Sequence, residues 1–113
     1  MAIINAYKMD GLGNDFVIID RRNEKINLSK EQIVKIGDRN NLGFDQIIYI
    51  EKERNNTFPI TIFNSDGGEI SACGNGSRCV AYLLGKDLNT KEIKLKTNNR
   101  LINAKIIDEF NVE

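Results

Sequence analysis

An unbroken apolar run, Phe16-Val17-Ile18-Ile19, constrains the fold of this chain more than any other feature. Three of its residues are β-branched, and the run lacks the alternation that a strand with one solvent-facing side would show. Strands that are covered on both faces read as continuous apolar runs. The run therefore predicts a strand over residues 16–20, in the interior of a sheet with structure packed on both of its faces.

Most of the remaining segments also read as strands. The predicted strands cover residues 3–8, 46–51, 58–64, 92–97 and 101–107. The predicted loops and turns lie at residues 10–15, 55–56, 65–68 and 98–100. The last two strands flank a short polar turn and predict a β-hairpin, while Pro59 is tolerable near a strand end or edge. Strands and helices do not alternate regularly, which indicates an α+β domain rather than a βαβ one.

A first helix is predicted to begin after Ser29. Gln32 lies three residues on, as in a capping box, and Leu28 and Ile33 are placed as a hydrophobic staple. This helix is predicted to end near residues 37–39.

A second helix is predicted over residues 78–86, after a Cys-Gly-Asn-Gly segment. Gly85 lies where a helix commonly weakens or ends. Beyond the hairpin, residues 111–113 carry no predicted closing element.

The length and charge of the chain exclude several classes of protein. The chain has 113 residues, enough for one domain with its own core. Sixteen basic residues balance sixteen acidic ones, so no net field recruits nucleic acid or an anionic membrane surface. No apolar run approaches the length of a membrane span, and the N-terminus is not a signal peptide. Two cysteines without an export signal indicate the cytoplasm and reduced thiols.

Cys73 is the candidate reactive group. It directly precedes Gly74, Asn75 and Gly76, whose backbone lets a ligand approach closely before the second helix begins. A helix N-terminus favours anions such as a thiolate or a carboxylate. The helix dipole contributes about 0.3–1 kcal/mol, which is less than one pKa unit, so the thiol needs further help to ionise at neutral pH.

Two absences limit the chemistry of Cys73. The chain has no histidine, which excludes a Cys-His hydrolase within it. Two cysteines without histidine do not supply four zinc ligands, so no metal site is expected.

Cys79, six residues on, faces away from the helix start and is interpreted as a small core residue. A Cys73–Cys79 disulfide acting as a redox switch is an alternative.

Three asparagines, Asn14, Asn64 and Asn75, are candidate binding residues. Side-chain amides donate to carboxylates and accept from ammonium groups, so they suit a zwitterionic ligand. Asparagine is also a common turn former, and the pairs at 40–41, 55–56 and 98–99 are assigned to turns.

Three motifs occur together in a fixed order. They are Met9-Asp10-Gly11-Leu12-Gly13-Asn14-Asp15-Phe16, Gly43-Phe44-Asp45-Gln46, and Phe63-Asn64-Ser65-Asp66-Gly67 followed by Ala72-Cys73-Gly74-Asn75-Gly76-Ser77-Arg78-Cys79. In this combination the chain resembles the N-terminal half of diaminopimelate epimerase. The first motif departs from the family's usual pattern at Asp10, where histidine is common.

The resemblance implies one half of a pseudo-symmetric two-domain fold, each half a mixed or antiparallel sheet curled around a central helix. Residues 1–113 would be the N-terminal domain, and the C-terminal domain would lie outside this chain. The resemblance also implies a homodimeric full-length enzyme that interconverts the L,L and meso forms of diaminopimelate, on the route to lysine and peptidoglycan, with neither metal nor pyridoxal phosphate. It makes Cys73 one of two catalytic cysteines. Its implied substrate-binding residues are Asn14, Gln46, Asn64, Gly74 and Asn75.

The predicted function of this chain is therefore half of a two-cysteine epimerase, inactive alone. A relative of proline or hydroxyproline racemases is an alternative, because those enzymes also place a cysteine at a glycine-rich turn. A non-catalytic half-domain that self-associates through its uncovered face is another.

Overall fold

The computed structural model describes residues 6–11, 14–22, 27–38, 43–70, 74–97, 100–108 and 111–112. Within those ranges it contains eight strands and two helices. The elements are, in order, β1 (Ala6–Gly11), β2 (Asn14–Asp20), α1 (Lys30–Gly37), β3 (Gln46–Ile50), β4 (Phe58–Asn64), β5 (Glu69–Ile70), α2 (Gly74–Leu88), β6 (Glu92–Lys96), β7 (Leu101–Asp108) and β8 (Asn111–Val112). The α+β class predicted from the sequence is confirmed.

The strands form one mixed sheet. Its order is β1-β2-β3-β4-β6-β7-β8, and β5 also pairs with β4. The pairs β2–β3 and β4–β6 are parallel, whereas the other pairs are antiparallel. Helix α2 contacts strands from both ends of this order, including β1 and β8. A flat sheet could not offer both ends to one helix, so the sheet curls around α2.

Strand β2 is covered on both faces, as the apolar run predicts. Phe16 and Ile18 belong to the core under α2, and Val17 and Ile19 belong to a second cluster on the opposite face. All four side chains are at most 4% exposed. The second cluster includes Ile33 of α1, so each helix covers one face of the sheet.

Helix α1 follows its sequence signals closely. The Ser29 hydroxyl accepts a hydrogen bond from the Gln32 amide, and the Gln32 side chain accepts one from the Ser29 amide. Leu28 packs against the cluster that contains Ile33, in agreement with the predicted staple. The helix ends at Gly37, as predicted.

Helix α2 is longer at both ends than predicted. It begins at Gly74 rather than Arg78, so Gly74, Asn75 and Gly76 form its first turn. Glycine is a poor helix former, but first-turn amides have no intrahelical partner in any case, and packing of the apolar face stabilises the helix. It also continues past Gly85 to Leu88.

The true end of α2 is set by Asn89. This residue has φ of 53°, and the Thr90 amide donates to the Gly85 carbonyl at 2.9 Å. These features are those of a Schellman-type cap with asparagine in the left-handed position. Gly85 serves close packing instead: a Cβ there would lie 2.1 Å from Ile106 Cδ1 and 2.8 Å from the Thr90 carbonyl oxygen.

We expect Gly85→Ala to lower the free energy of unfolding by about 1–2 kcal/mol. Overpacking costs about 1–3 kcal/mol, and the better helix propensity of alanine returns up to about 1 kcal/mol. Urea denaturation measures the difference. Lys86→Ala, at the exposed neighbouring position, is the control and should stay within about 0.5 kcal/mol of the parent. A Gly85→Ala chain as stable as that control would contradict this account of the glycine.

Two further predictions were wrong. Residues 10–11 and 14–15 are paired strand residues rather than a loop, with Gly11 opposite Asn14, and residues 12–13 lie outside the described ranges. Residues 111–112 form β8, paired with β7, where the sequence predicts no closing element. The predicted strand at residues 3–8 is confirmed for residues 6–8, and residues 3–5 lie outside the described ranges. None of the described helices is long and apolar enough to cross a lipid bilayer.

Candidate functional site

A hydrogen-bonded pair of amides marks one end of the sheet. Gln46 is the first residue of β3 and Asn64 is the last residue of β4, and the two are direct partners in the antiparallel register. The Gln46 Nε2 atom donates to the Asn64 Oδ1 atom at 3.1 Å. Side chains alternate along a strand, so Gln46 shares a face with Ile48 and Asn64 shares one with Ile62. Both isoleucines lie in the core under α2, which places the amide pair on the α2 face.

The turn after β4 holds Asn64 in place. Its amide donates to the Gly68 carbonyl at 2.9 Å, and its carbonyl accepts from the Gly67 amide at 2.9 Å. Gly67 has φ of 87°, a conformation that glycine adopts without strain. The predicted turn at residues 65–68 therefore forms and fixes the backbone at the end of β4.

Two aspartates join the starts of β2 and β3. The Asp15 amide donates to Asp45 Oδ2 at 2.9 Å, and the Asp45 amide donates to Asp15 Oδ1 at 3.1 Å. This reciprocal contact adjoins Asn14 on one strand and Gln46 on the other. No sequence motif predicts this pair, because the two residues are thirty positions apart and only the parallel register brings them together.

Asn14 begins β2 at this same end of the sheet. Phe16, two residues on, is the register partner of Gln46. The backbone of Asn14 therefore lies at the same end of the sheet as the amide pair, whereas its side chain is outside what the structure describes.

Contacts at the other end of α2 fix the direction of the helix. Arg22, just after β2, donates to Asp87 of α2 at 2.9 Å and to Asp20 at 2.7 Å. The last turns of α2 therefore lie at the carboxyl end of β2. A helix of fifteen residues is about 22 Å long and a strand of seven about 23 Å, so the two have similar lengths. The first turn of α2 consequently lies at the end of the sheet that carries Gln46 and Asn64.

The predicted substrate-binding residues are therefore brought to one end of the domain. Gly74 and Asn75 are the first two residues of α2, and their amides belong to the turn that lacks intrahelical acceptors. Cys73, the predicted catalytic residue, lies outside the described residues. Cys79 is buried in the core under α2 at 8% exposure, as predicted.

This arrangement suits a small zwitterion. The helix start offers backbone donors and a partial positive charge for a carboxylate. The amide pair supplies neutral groups that both donate and accept. The core side chains beneath it are apolar, so charges held there would interact through a medium less polar than water.

Comparison with known proteins identifies the family. A sequence model described as diaminopimelate epimerase matches residues 6–113. The chain belongs to the diaminopimelate epimerase family. The diaminopimelate epimerase of Pelagibacter ubique is 52% identical over 97% of this chain and 40% of its own length. That of Laribacter hongkongensis is 42% identical over 90% of this chain and 38% of its own length.

The chain thus spans about 40% of the length of the diaminopimelate epimerases it matches. The fold is also similar to that of a solved phenazine biosynthesis protein of the PhzF family from Enterococcus faecalis. The TM-score is 0.71 at 14% identity, covering 94% of this chain and 41% of the other. In that protein the matching sheet and central helix make up one part of a larger chain, and the likeness shows that the fold is shared.

Proposed function

We propose that this chain is the N-terminal half of a cofactor-independent diaminopimelate epimerase and supplies one of its two catalytic cysteines, Cys73. The observation that carries the proposal is the Gln46–Asn64 amide pair, held at the end of the sheet where α2 begins. In this proposal Asn14, Gln46, Asn64, Gly74 and Asn75 hold the substrate, and the second domain closes over it.

The proposed chemistry is a proton exchange at the α-carbon. A thiolate on one face of the substrate removes the α-proton, and a thiol on the other face returns a proton, so the configuration inverts. The carbanion that develops spreads charge onto the α-carboxylate. Backbone amides aimed at that carboxylate stabilise it, and one such donor is worth about 2.7–4 kcal/mol in comparable oxyanion sites.

The second thiol has to come from outside this chain. Cys79 is the other cysteine of the sequence, and it lies in the core under α2. A buried position on the helix that follows Cys73 cannot reach the opposite face of a substrate. We therefore expect the isolated chain to bind diaminopimelate weakly and to give no epimerisation. In the full-length cytoplasmic enzyme, a homodimer by this proposal, the missing domain supplies the partner thiol.

Binding can be tested on the chain itself. We expect diaminopimelate to shift the side-chain amide NMR signals of Gln46 and Asn64, because both amides lie in the proposed cradle. Asn103, an exposed amide on β7, is the control and should not move. Proline is the competing ligand, and shifts caused by proline but not by diaminopimelate would favour the racemase alternative.

Catalysis can be tested by restoring the missing part. The chain is joined to the portion of the Pelagibacter ubique enzyme that it does not cover, and solvent deuterium at the α-carbon of diaminopimelate is measured. We expect exchange by the fusion, loss of exchange with Cys73→Ala, and retention with Cys79→Ala. Exchange by the isolated chain, lost on Cys73→Ala, would overturn the proposal that it is half of a site.

A further inference from the structure

The strand ends that carry the amide pair are not neighbours along the chain. Strands β3 and β4 are joined at their opposite ends, through residues 51–57. Strands β2 and β3 run parallel, and parallel neighbours are joined by a crossover rather than a hairpin. Strand ends without a connecting turn fray unless other contacts hold them. The position of the amide pair therefore depends on contacts between these ends.

Asp45, the residue before β3, makes contacts of this kind in two directions. Toward β2, its amide donates to the Asp15 carbonyl at 3.0 Å and to Asp15 Oδ1 at 3.1 Å, and its Oδ2 accepts from the Asp15 amide at 2.9 Å. Toward β4, its carbonyl accepts from the Ser65 amide at 3.2 Å. Asp45 thus joins the ends of three strands, and we call Asp15, Asp45 and Ser65 the Asp45 brace.

Every member of the brace is a chain neighbour of a proposed substrate-binding residue. Asn14 comes directly before its first member, Gln46 directly after its second and Asn64 directly before its third. The 3.1 Å hydrogen bond from Gln46 to Asn64 forms only when the two strand ends are in register. Because the backbone sets the direction of each side chain, the brace also sets where these amides point.

Helix α1 supports the brace from the opposite face of the sheet. Phe44, which precedes Asp45, is 1% exposed and packs in the cluster that contains Ile33 of α1. At the end of α1, a Cβ on Gly37 would lie 2.9 Å from Ser65 Cβ and 3.2 Å from Phe44 Cζ. Close packing behind the brace holds its backbone in place before any ligand binds.

We infer that Asp45 is a positioning residue of the proposed site: it acts through Gln46 and Asn64 by holding their strand ends in register. The inference rests on the proposed function in taking these two amides as substrate ligands. Hydrogen bonds to an ionised carboxylate are about twice as strong as neutral ones, which suits a contact between ends that no turn connects. A site whose binding-competent arrangement is only partly populated binds its ligand more weakly by that fraction.

The experiment follows the 113-residue chain by NMR without ligand, through hydrogen exchange at the Ser65 backbone amide and the side-chain amide signals of Gln46. We expect Asp45→Ala to speed exchange at Ser65 by about tenfold, because a hydrogen bond to a charged group is lost and the strand ends fray. The Gln46 signals should move at the same time. Asp45→Asn keeps an acceptor oxygen in place and should stay within about threefold of the parent rate.

Asp15→Ala breaks the same contact from the β2 side and should reproduce the effect of Asp45→Ala. The double variant should exchange no faster than either single one, because the two residues act as a unit. Asp15→Ala also carries the test if Asp45→Ala does not fold.

Ile93→Val is the matched control for a general loss of stability. Ile93 is 3% exposed in β6, which pairs with Phe58 and Pro59 at the start of β4, away from the brace. Removing a methyl group from this core position lowers Tm but should leave exchange at Ser65 at the parent rate. Equal acceleration in Ile93→Val and Asp45→Ala would show that Asp45 acts only through stability, and would overturn the inference.

Titration with diaminopimelate separates the inference from the proposed function. We expect Asp45→Ala to raise Kd about tenfold and Ile93→Val to leave it unchanged. An unchanged Kd in Asp45→Ala, or unchanged Ser65 exchange, would overturn the inference. Failure of the proposed function looks different: the brace variants would still move the Ser65 and Gln46 signals, but neither the parent chain nor the fusion would bind or exchange diaminopimelate.

Discussion

Replacing Phe16 with alanine is expected to lower the free energy of unfolding by about 3–5 kcal/mol. The Phe16 side chain is 0% exposed and packs in the core between the sheet and α2. Removing the ring loses the free energy gained by burying it and leaves a cavity. Strand β2 is paired on both sides, so its backbone cannot move to fill that cavity. The free energy of unfolding of a domain is about 5–15 kcal/mol in total, so this single change removes a large fraction of it.

Urea denaturation followed by circular dichroism measures the effect. Phe16→Leu should cost less than half as much, because it keeps most of the volume. Leu101→Ala, at a position 60% exposed, should change stability by no more than about 0.5 kcal/mol. If Phe16→Ala proved as mild as Leu101→Ala, the assignment of Phe16 to the core would be wrong.

Replacing Arg22 with glutamine is expected to destabilise the chain by about 1–3 kcal/mol at neutral pH. Arg22 joins the end of β2 to the end of α2, with Nε at 2.9 Å from Asp20 Oδ1 and Nη2 at 2.9 Å from Asp87 Oδ2. Asp20 contributes most, because its side chain is 11% exposed whereas that of Asp87 is 57% exposed. Without the guanidinium, the Asp20 carboxylate stays largely buried and loses its counter-charge, although the backbone amide of residue 22 still donates to it at 3.0 Å.

The effect depends on pH in a defined direction. Burial alone would raise the pKa of Asp20, but the hydrogen bonds and charge of Arg22 outweigh burial and hold that pKa below its ordinary value of 3.8. A carboxyl with a lowered pKa in the folded state stabilises the fold above its unfolded pKa, and this contribution is lost as the pH falls through the folded pKa. The gap between parent and Arg22→Gln should therefore be full at neutral pH and shrink below about pH 4.

Stability curves from neutral pH down to about pH 2 test this directly. Arg100→Gln removes an exposed arginine and serves as the control, with a curve parallel to that of the parent. Asp20→Asn should lose the same acid-dependent part as Arg22→Gln. A constant gap between parent and Arg22→Gln across the whole range would show that the ion pair does not cause the difference.

Most of the local elements of the fold can be predicted from the sequence. The unbroken run at residues 16–20 predicts a strand covered on both faces, and β2 is such a strand. Ser29 and Gln32 predict the start of α1 because the capping box involves residues only three apart. The strand at residues 58–64 and the turn at residues 55–56 are confirmed for the same reason, since their signals are short-range.

The wrong predictions concern features that contacts between residues far apart in the chain determine. Gly85 looks like a helix end, but it is a glycine because Ile106 of β7 packs against it. The sequence predicts a later start for α2 because the helix propensity of Gly74-Asn75-Gly76 is low, and tertiary packing overrides that propensity. The sequence does not predict β8 because a strand of two residues has no hydrophobic period of its own, and its pairing with β7 defines it.

For the candidate site, the sequence supplies the residue types and the tertiary structure supplies their arrangement. The resemblance of the motifs predicts Gln46 and Asn64 as substrate-binding residues. Only the antiparallel register makes the two side chains hydrogen-bonded partners. The Asp15–Asp45 contact and the buried hydroxyl of Ser77 had no signal in the sequence, because parallel pairing and helix burial create them. The sequence by itself determined most of the strands, the first helix, the candidate thiol and the family resemblance, because these depend on neighbouring residues or on motifs of fixed spacing. Only the tertiary structure decided which amides meet, where α2 points and which polar groups are buried, because those depend on contacts between residues far apart in the chain.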